Sequence, residues 1–146
     1  MQPDVVCRAE SLPFEDARFD AVSCRVAAHH FDHVDTAVRE MARVSVDRVI
    51  LVDNLFLDDD AEEADRIRDP SHVRNLSEAE WLEICGSSRL HVDETRRFDK
   101  AIEVDPWLER ARCHGDDAAR VRELLGTRIA NGWLTLDRIA ILAGVR

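Results

Sequence analysis

Two adjacent histidines, His29 and His30, are the side chains of this sequence best suited to move a proton. A neutral imidazole changes charge near pH 7, so it can take a proton from a hydroxyl or an amine. The pair follows the run Phe19–Cys24, which reads as a strand, and ligands of open α/β sheets bind just past the C-terminal ends of strands. Two roles fit the pair: a ring lining a reaction pocket, or one ring packed on the next helix with the other capping it. Adjacent histidines point apart, and no third and fourth ligand follow at zinc-binding spacing, so no metal site is expected there. Arg25 stands on the same strand edge. Further on, Arg68-Asp69-Pro70-Ser71-His72-Val73-Arg74-Asn75 forms a polar loop, the kind of segment that carries specificity. His72 and Arg74 are its candidates for substrate contact. A structural role, with Asp69 and Arg74 tying the loop down, fits equally. Asp58-Asp59-Asp60 with Glu62-Glu63 reads as a solvated helix start, because neighbouring helical carboxylates diverge too far to share a magnesium ion.

The elements that must position these groups follow from periodicity. Val5-Val6-Cys7 reads as a short strand ended by Pro13, and Phe19–Cys24 alternates before turning wholly apolar, as in a covered sheet. Ala37, Val38, Met41, Ala42 and Val44 recur at helical spacing, so 35–44 is an amphipathic helix with Asp32 or Asp35 available as its cap. Arg48–Asp53 (R-V-I-L-V-D) is a β-branched strand. Residues 58–68 run from acidic to basic, complementing a helix dipole, and Asp69-Pro70 stops them. Ser77-Glu78-Ala79-Glu80 is a capping box launching a helix that carries Trp81 and ends at Gly86. A strand over 90–98, a short helix from Asp105-Pro106, a helix over 116–125 and a strand over 133–142 complete an α/β order. Trp81, Trp107 and Trp133 suit core or pocket wall.

Composition narrows the function classes. The 146 residues carry a net charge of −10, whereas neutralising a nucleic-acid backbone needs clustered cations, so nucleic acid is not an expected partner. No apolar run approaches the roughly 20 residues of a membrane span, and no basic-then-apolar leader opens the chain, so a cytoplasmic protein without membrane contact is expected. Cys7, Cys24, Cys85 and Cys113 are too scattered for a C-x-x-C site and read as reduced, mostly buried thiols.

The stretch Glu10-Ser11-Leu12-Pro13-Phe14-Glu15-Asp16-Ala17-Arg18-Phe19-Asp20-Ala21-Val22 resembles the middle of a class I S-adenosylmethionine (SAM)-dependent methyltransferase of the type 11 group, which includes quinone-biosynthesis enzymes. There it follows the third strand and enters the fourth. Cys24-Arg25-Val26-Ala27-Ala28-His29-His30-Phe31 is similar to the fourth strand and its H-H-F turn, Arg39-Glu40-Met41-Ala42-Arg43-Val44 to the following r-E-x-x-R-V helix, and Val49–Asp53 to the fifth strand. The last two predicted strands match the sixth and the antiparallel seventh.

The resemblance implies a Rossmann-like α/β sheet with helices on both faces, and one partial methyltransferase domain over 1–146 running from the third to the seventh strand. It implies SAM as cofactor and a small-molecule acceptor. Ala9 and Glu10 would approach the adenine, Arg25 the methionine end, and His29, His30, His72 and Arg74 the acceptor. Two departures stand out. Ser45-Val46-Asp47 replaces the usual L-K-P-G-G turn, and Arg8 stands where the family often has an Asp that receives the adenine amino group, although a guanidinium has no acceptor to offer. Only nine residues precede Glu10, and Gly86, Gly115, Gly126, Gly132 and Gly144 never form G-x-G. The first two strands and the glycine turn therefore have no counterpart here. The expectations are weak or absent SAM binding and turnover, and third and fourth strands that pair directly or leave open edges suited to homodimerisation. A non-catalytic binding or dimerisation module is the alternative.

Overall fold

The computed structural model describes residues 4–146. Strand β1 (Phe19–Arg25) leads through a 3-10 turn at Ala28–His30 into helix α1 (Val34–Val44) and then β2 (Ser45–Asn54), which pairs parallel to β1. The helix buries Ala37, Val38, Met41, Ala42 and Val44, the face its spacing predicts. Its N-cap is His33, without a side-chain cap bond. Both aspartates expected to cap it are engaged elsewhere. Asp32 receives Arg8 at 2.6 Å and Asp35 receives Arg39 at 2.7 Å.

Helix α2 (Asp59–Arg68) is capped by Asp58, whose carboxylate accepts from the Ala61 N–H at 2.9 Å. Helix α3 (Glu78–Ser87) starts at the full Ser77–Glu80 capping box. Strand β3 (Leu90–Glu103) continues five residues past the predicted Phe98, because Asp99–Glu103 still pairs with Asp137–Trp133 of the last strand. Helices α4 (Val104–Arg110) and α5 (Gly115–Leu125) follow, then a two-residue strand β4 (Ile129–Ala130) and the long β5 (Trp133–Val145).

The sheet order is β1-β2-β5-β3, with β4 against β5, and β5 runs antiparallel to both β2 and β3. The antiparallel run of β5 is the direction that the resemblance implies for the family's seventh strand. Two cores hold it. Ile139, Ile141 and Ala143 of β5 join Val49 and Leu51 of β2 against α1 and α3, around a buried Trp81. Leu134, at the opposite side-chain parity of β5, packs with Ala64 of α2, Val104, Trp107 and Leu108 of α4, and Val121 and Leu125 of α5. Helices therefore stand on both faces, toward different ends of β5. Each fully buried Leu or Ile contributes about 1.5–3 kcal/mol over an exposed one.

The expected strand at Val5-Val6-Cys7 does not form. These residues lie outside any ladder, and Val6 is 88% exposed. A strand needs a neighbour's N–H and C=O groups, and among the described residues none runs alongside. The outer edge of β1 is likewise unpaired among the described residues. Of the two outcomes foreseen, open edges are the one observed.

Candidate active site

The parallel strands β1 and β2 end together, and the side chains beyond their C-terminal ends meet the loop after α2. Asp53, the next-to-last residue of β2, is 2% exposed. Its Oδ1 accepts from Nδ1 of His29 at 2.6 Å and from the Asn54 N–H at 2.8 Å, while Oδ2 accepts from the His29 N–H at 3.1 Å. A carboxylate can only accept, so the Nδ1–H tautomer is held and Nε2 keeps its lone pair. His30 is set the same way at one remove. Asp69 accepts the Ser71 hydroxyl at 2.6 Å, and the Ser71 Oγ is then the acceptor for His30 Nδ1 at 3.0 Å. The rings of His29 and His30 lie 4.2 Å apart, centroid to centroid.

The chain reaches this pair through Val26, whose φ of +50° is a left-handed conformation that a β-branched residue adopts only under strain. The Val26 N–H donates to the Val52 carbonyl at 2.6 Å, which fixes the turn against β2.

The polar loop is stapled from below. The backbone N–H groups of Val73 and Arg74 donate to the His29 carbonyl at 2.8 and 3.2 Å. His72 is buried, its Nε2 2.9 Å from Oε1 of Glu62, which also accepts the Asn75 N–H at 2.9 Å. The Asn75 side chain donates to Asp65 at 2.9 Å. Burial pushes the Asp65 carboxyl above its ordinary pKa, against the pull of His72, Asn75 and Arg68. Asp69 is depressed, first by its bond from Ser71.

These groups enclose a cavity of about 210 Å³ lined by His29, His30, His72, Asp65, Asp69, Arg68, Arg110 and Arg138, with Trp107, Ile102 and Leu136 as its apolar wall. Arg68 lies over the Trp107 ring at 4.4 Å, a cation–π contact. Arg138 donates to Oδ1 of Asn54 at 2.9 Å. A larger cleft, about 540 Å³, lies at the opposite ends of β1 and β2, near Ala17, Ser45 and Arg146, remote from the histidines.

The residues singled out in the sequence are placed unevenly. His29, His30 and His72 converge on the 210 Å³ cavity. Arg74 does not line it; it pairs with Glu80 at 2.5 Å on the surface, so Asp69 and Arg74 do tie the loop down. Arg25 is exposed at the end of β1, beside that cavity's rim. Ala9 packs on the main core, and Glu10, near it, accepts the His33 N–H at 3.2 Å and faces Arg8 at 3.5 Å. Cys24 is no nucleophile: burial first, then Asp53, push its thiol up to about 11. All four cysteines are free thiols. Trp81 is core, Trp107 is cavity wall and Trp133 is exposed. Asp53, Asp65, Arg110 and Arg138 escaped sequence reasoning as site residues, and Arg68 stood in the polar loop without being named a candidate. Only Asp53, a carboxylate closing an apolar strand, left a signal that could have found it. Among the described residues no group of three or more His, Cys, Asp or Glu is arranged to hold a metal ion.

The comparisons with known proteins bear on the same geometry. A methyltransferase-domain family model matches residues 2–52. The chain is 40% identical over 124 residues to YcgJ of Bacillus subtilis, an uncharacterized methyltransferase, covering 80% of this chain and 48% of that one. It is 36% identical over 111 residues to YafE, an uncharacterized protein of Escherichia coli, covering 71% of this chain and 54% of that one. The crystal structure of YcgJ superposes with a TM-score of 0.86 at 32% identity, covering 94% of this chain and 68% of the other. With its fold, strand order and these relatives together, the chain belongs to the class I SAM-dependent methyltransferase family. It spans about half the length of the curated relatives it matches. A geranyl diphosphate C-methyltransferase of Streptomyces coelicolor, crystallised with S-adenosylhomocysteine, shares the fold at a TM-score of 0.64 and 14% identity.

Proposed function

We propose that the chain is the acceptor-binding part of a SAM-dependent methyltransferase acting on a small molecule, one partial domain spanning the family's fourth to seventh strands. The single observation behind this reading is the buried Asp53 holding His29 at 2.6 Å beyond the ends of two parallel strands. When bound, SAM supplies a methyl group on a sulfonium, already activated for in-line displacement. What remains for the protein is to align an acceptor atom and relieve it of its proton. His29 accepts that proton at Nε2, with Asp53 stabilising the imidazolium that results. His30, fixed through Ser71, borders the same space and orients the acceptor. His72 forms the cavity floor, and Arg74 serves the acceptor by holding the loop. Arg25 flanks the methionine end, and Ala9 and Glu10 lie toward the adenine.

The cofactor side fits less well than the acceptor side. Glu10 is already engaged by the His33 N–H and Arg8, and no G-x-G turn stands in the sequence. With Glu10 so engaged, weak SAM binding and slow turnover are proposed for this chain. Among the described residues no helix is long and apolar enough to cross a membrane, and four free thiols suit a reducing cytoplasm.

The test is SAM consumption with a panel of hydroxyl- and amine-bearing small molecules. Slow S-adenosylhomocysteine formation that depends on the acceptor supports the reading; formation no faster than the acceptor-free background with every acceptor overturns it. A second reading, a non-catalytic dimerisation module, draws on the unpaired outer edge of β1.

A further inference from the structure

The cavity beside His29 and His30 has an unusual balance of spent and unspent groups. Its acids are occupied. Asp69 accepts from the backbone and hydroxyl of Ser71 and Asp65 from Asn75, while Asp53, behind the lining, accepts from His29 and two backbone N–H groups. Its guanidinium groups are not. The Nε of Arg68 is buried without a hydrogen-bond acceptor, although one terminal nitrogen stands 3.6 Å from Asp69. Among the described residues Arg138 has only the neutral amide of Asn54 as its partner. Arg110 has no carboxylate within salt-bridge distance among the described residues. Like charges are also brought together. Arg110 bears on Arg68, and Arg25 on Arg138, and each of the two affected guanidinium groups is held below its ordinary pKa, first by burial and then by these neighbours, against the opposite pull of Asp65 and Asp69 on Arg68 and of Asp53 on Arg138. Leaving a buried donor unmade is costly, and grouping cations without counter-ions adds to that cost. Such a site is complete only with an anion in it.

We infer that the cavity receives an oxyanion of the methyl acceptor, a carboxylate or a phosphate, held between Arg68, Arg138 and Arg110 so that the acceptor's nucleophilic atom faces Nε2 of His29. The inference rests on the methyltransferase reading for the word acceptor, but anion binding itself needs neither cofactor nor turnover. The cavity's 210 Å³ falls below the roughly 300 Å³ at which drug-sized sites begin, so it suits a compact anionic head. Arginine's planar fork matches both candidate groups bidentately.

The experiment titrates the full chain separately with benzoate and with inorganic phosphate, following the ring signals of His29 and His30 by NMR. Saturable shifts with at least one probe are expected, and whichever binds more tightly names the group. Affinity should fall tenfold or more in Arg138→Gln and in Arg68→Gln, and change less than twofold in Arg120→Gln, an exposed residue of α5 that pairs with Glu63 and Glu123 outside the cavity. Arg138→Gln carries the test if loss of the Trp107 contact unfolds the Arg68 variant. Absence of saturable shifts with both probes, or equal affinity in the Arg138 variant, overturns the inference. Competition between S-adenosylhomocysteine and the bound probe would overturn its assignment to the acceptor, because the cofactor's own carboxylate would then be the anion.

Discussion

At the scale of single residues, the site is a set of imidazoles whose tautomers are decided by carboxylates behind them. His29 is backed by Asp53 directly and His30 by Asp69 through Ser71, while His72 has its Nε2 committed to Glu62. His29 combines a buried orienting acid with a free nitrogen beyond the ends of the parallel strands. Asp65 is the discordant group: its carboxyl is raised by burial. The native state therefore holds a proton that the unfolded chain has already released between the unfolded and folded pKa values. Across that window stability falls as pH rises, and above it Asp65 is a net cost. Replacing Asp65 with Asn should raise the melting temperature at pH 7, with the gain shrinking as the pH drops toward 4. An equal gain at both pH values would contradict the shift.

At the scale of elements, two phrases that were separate in the sequence prove to be one hydrogen-bonded unit. Arg43 donates to the backbone carbonyls of Leu12 and Phe14 and to Asp16, while Glu40 accepts the Leu12 N–H at 2.8 Å and binds Arg43. The E-x-x-R of α1 thus clamps the L-P-F loop that leads into β1. Glu40 is depressed, first by Arg43, so the clamp is complete above the ordinary glutamate pKa of about 4.3 and is lost as pH falls through the lowered value. Arg43→Met should lower the midpoint of urea unfolding, because it strips the Leu12 and Phe14 carbonyls and Asp16 of their shared donor. An unchanged midpoint would remove the clamp. Periodicity made β1, β2, α1, α3 and their caps legible because each buries one regular face. It failed at Val5–Cys7, where the apolar letters have no neighbouring strand, and at the end of β3, where D-K-A-I-E hides a paired segment among charges. His29, His30 and His72 could be picked out because few other residue types take a proton near neutrality. Arg68, Arg110 and Arg138 could not, since nineteen arginines look alike until the fold brings three of them together.

At the scale of the whole molecule, the outer edges of β1 and β3 are unpaired among the described residues, and Ile50 and Val46 of β2 are exposed. Exposed apolar surface beside an open edge favours self-association. Sedimentation should show a concentration-dependent dimer that Ile50→Lys shifts to monomer; a monomer at every concentration would exclude the edge as an interface. The central claim remains that His29, oriented by Asp53, takes the acceptor's proton during methyl transfer. The measurement that tests it most directly is the turnover of His29→Ala against the unaltered chain, with the best acceptor from the panel and folding verified by thermal melting. A general base supplies about 10²–10⁴ in rate, so a fall of at least 100-fold at an unchanged melting temperature is predicted. Turnover within twofold of the unaltered chain would contradict the account.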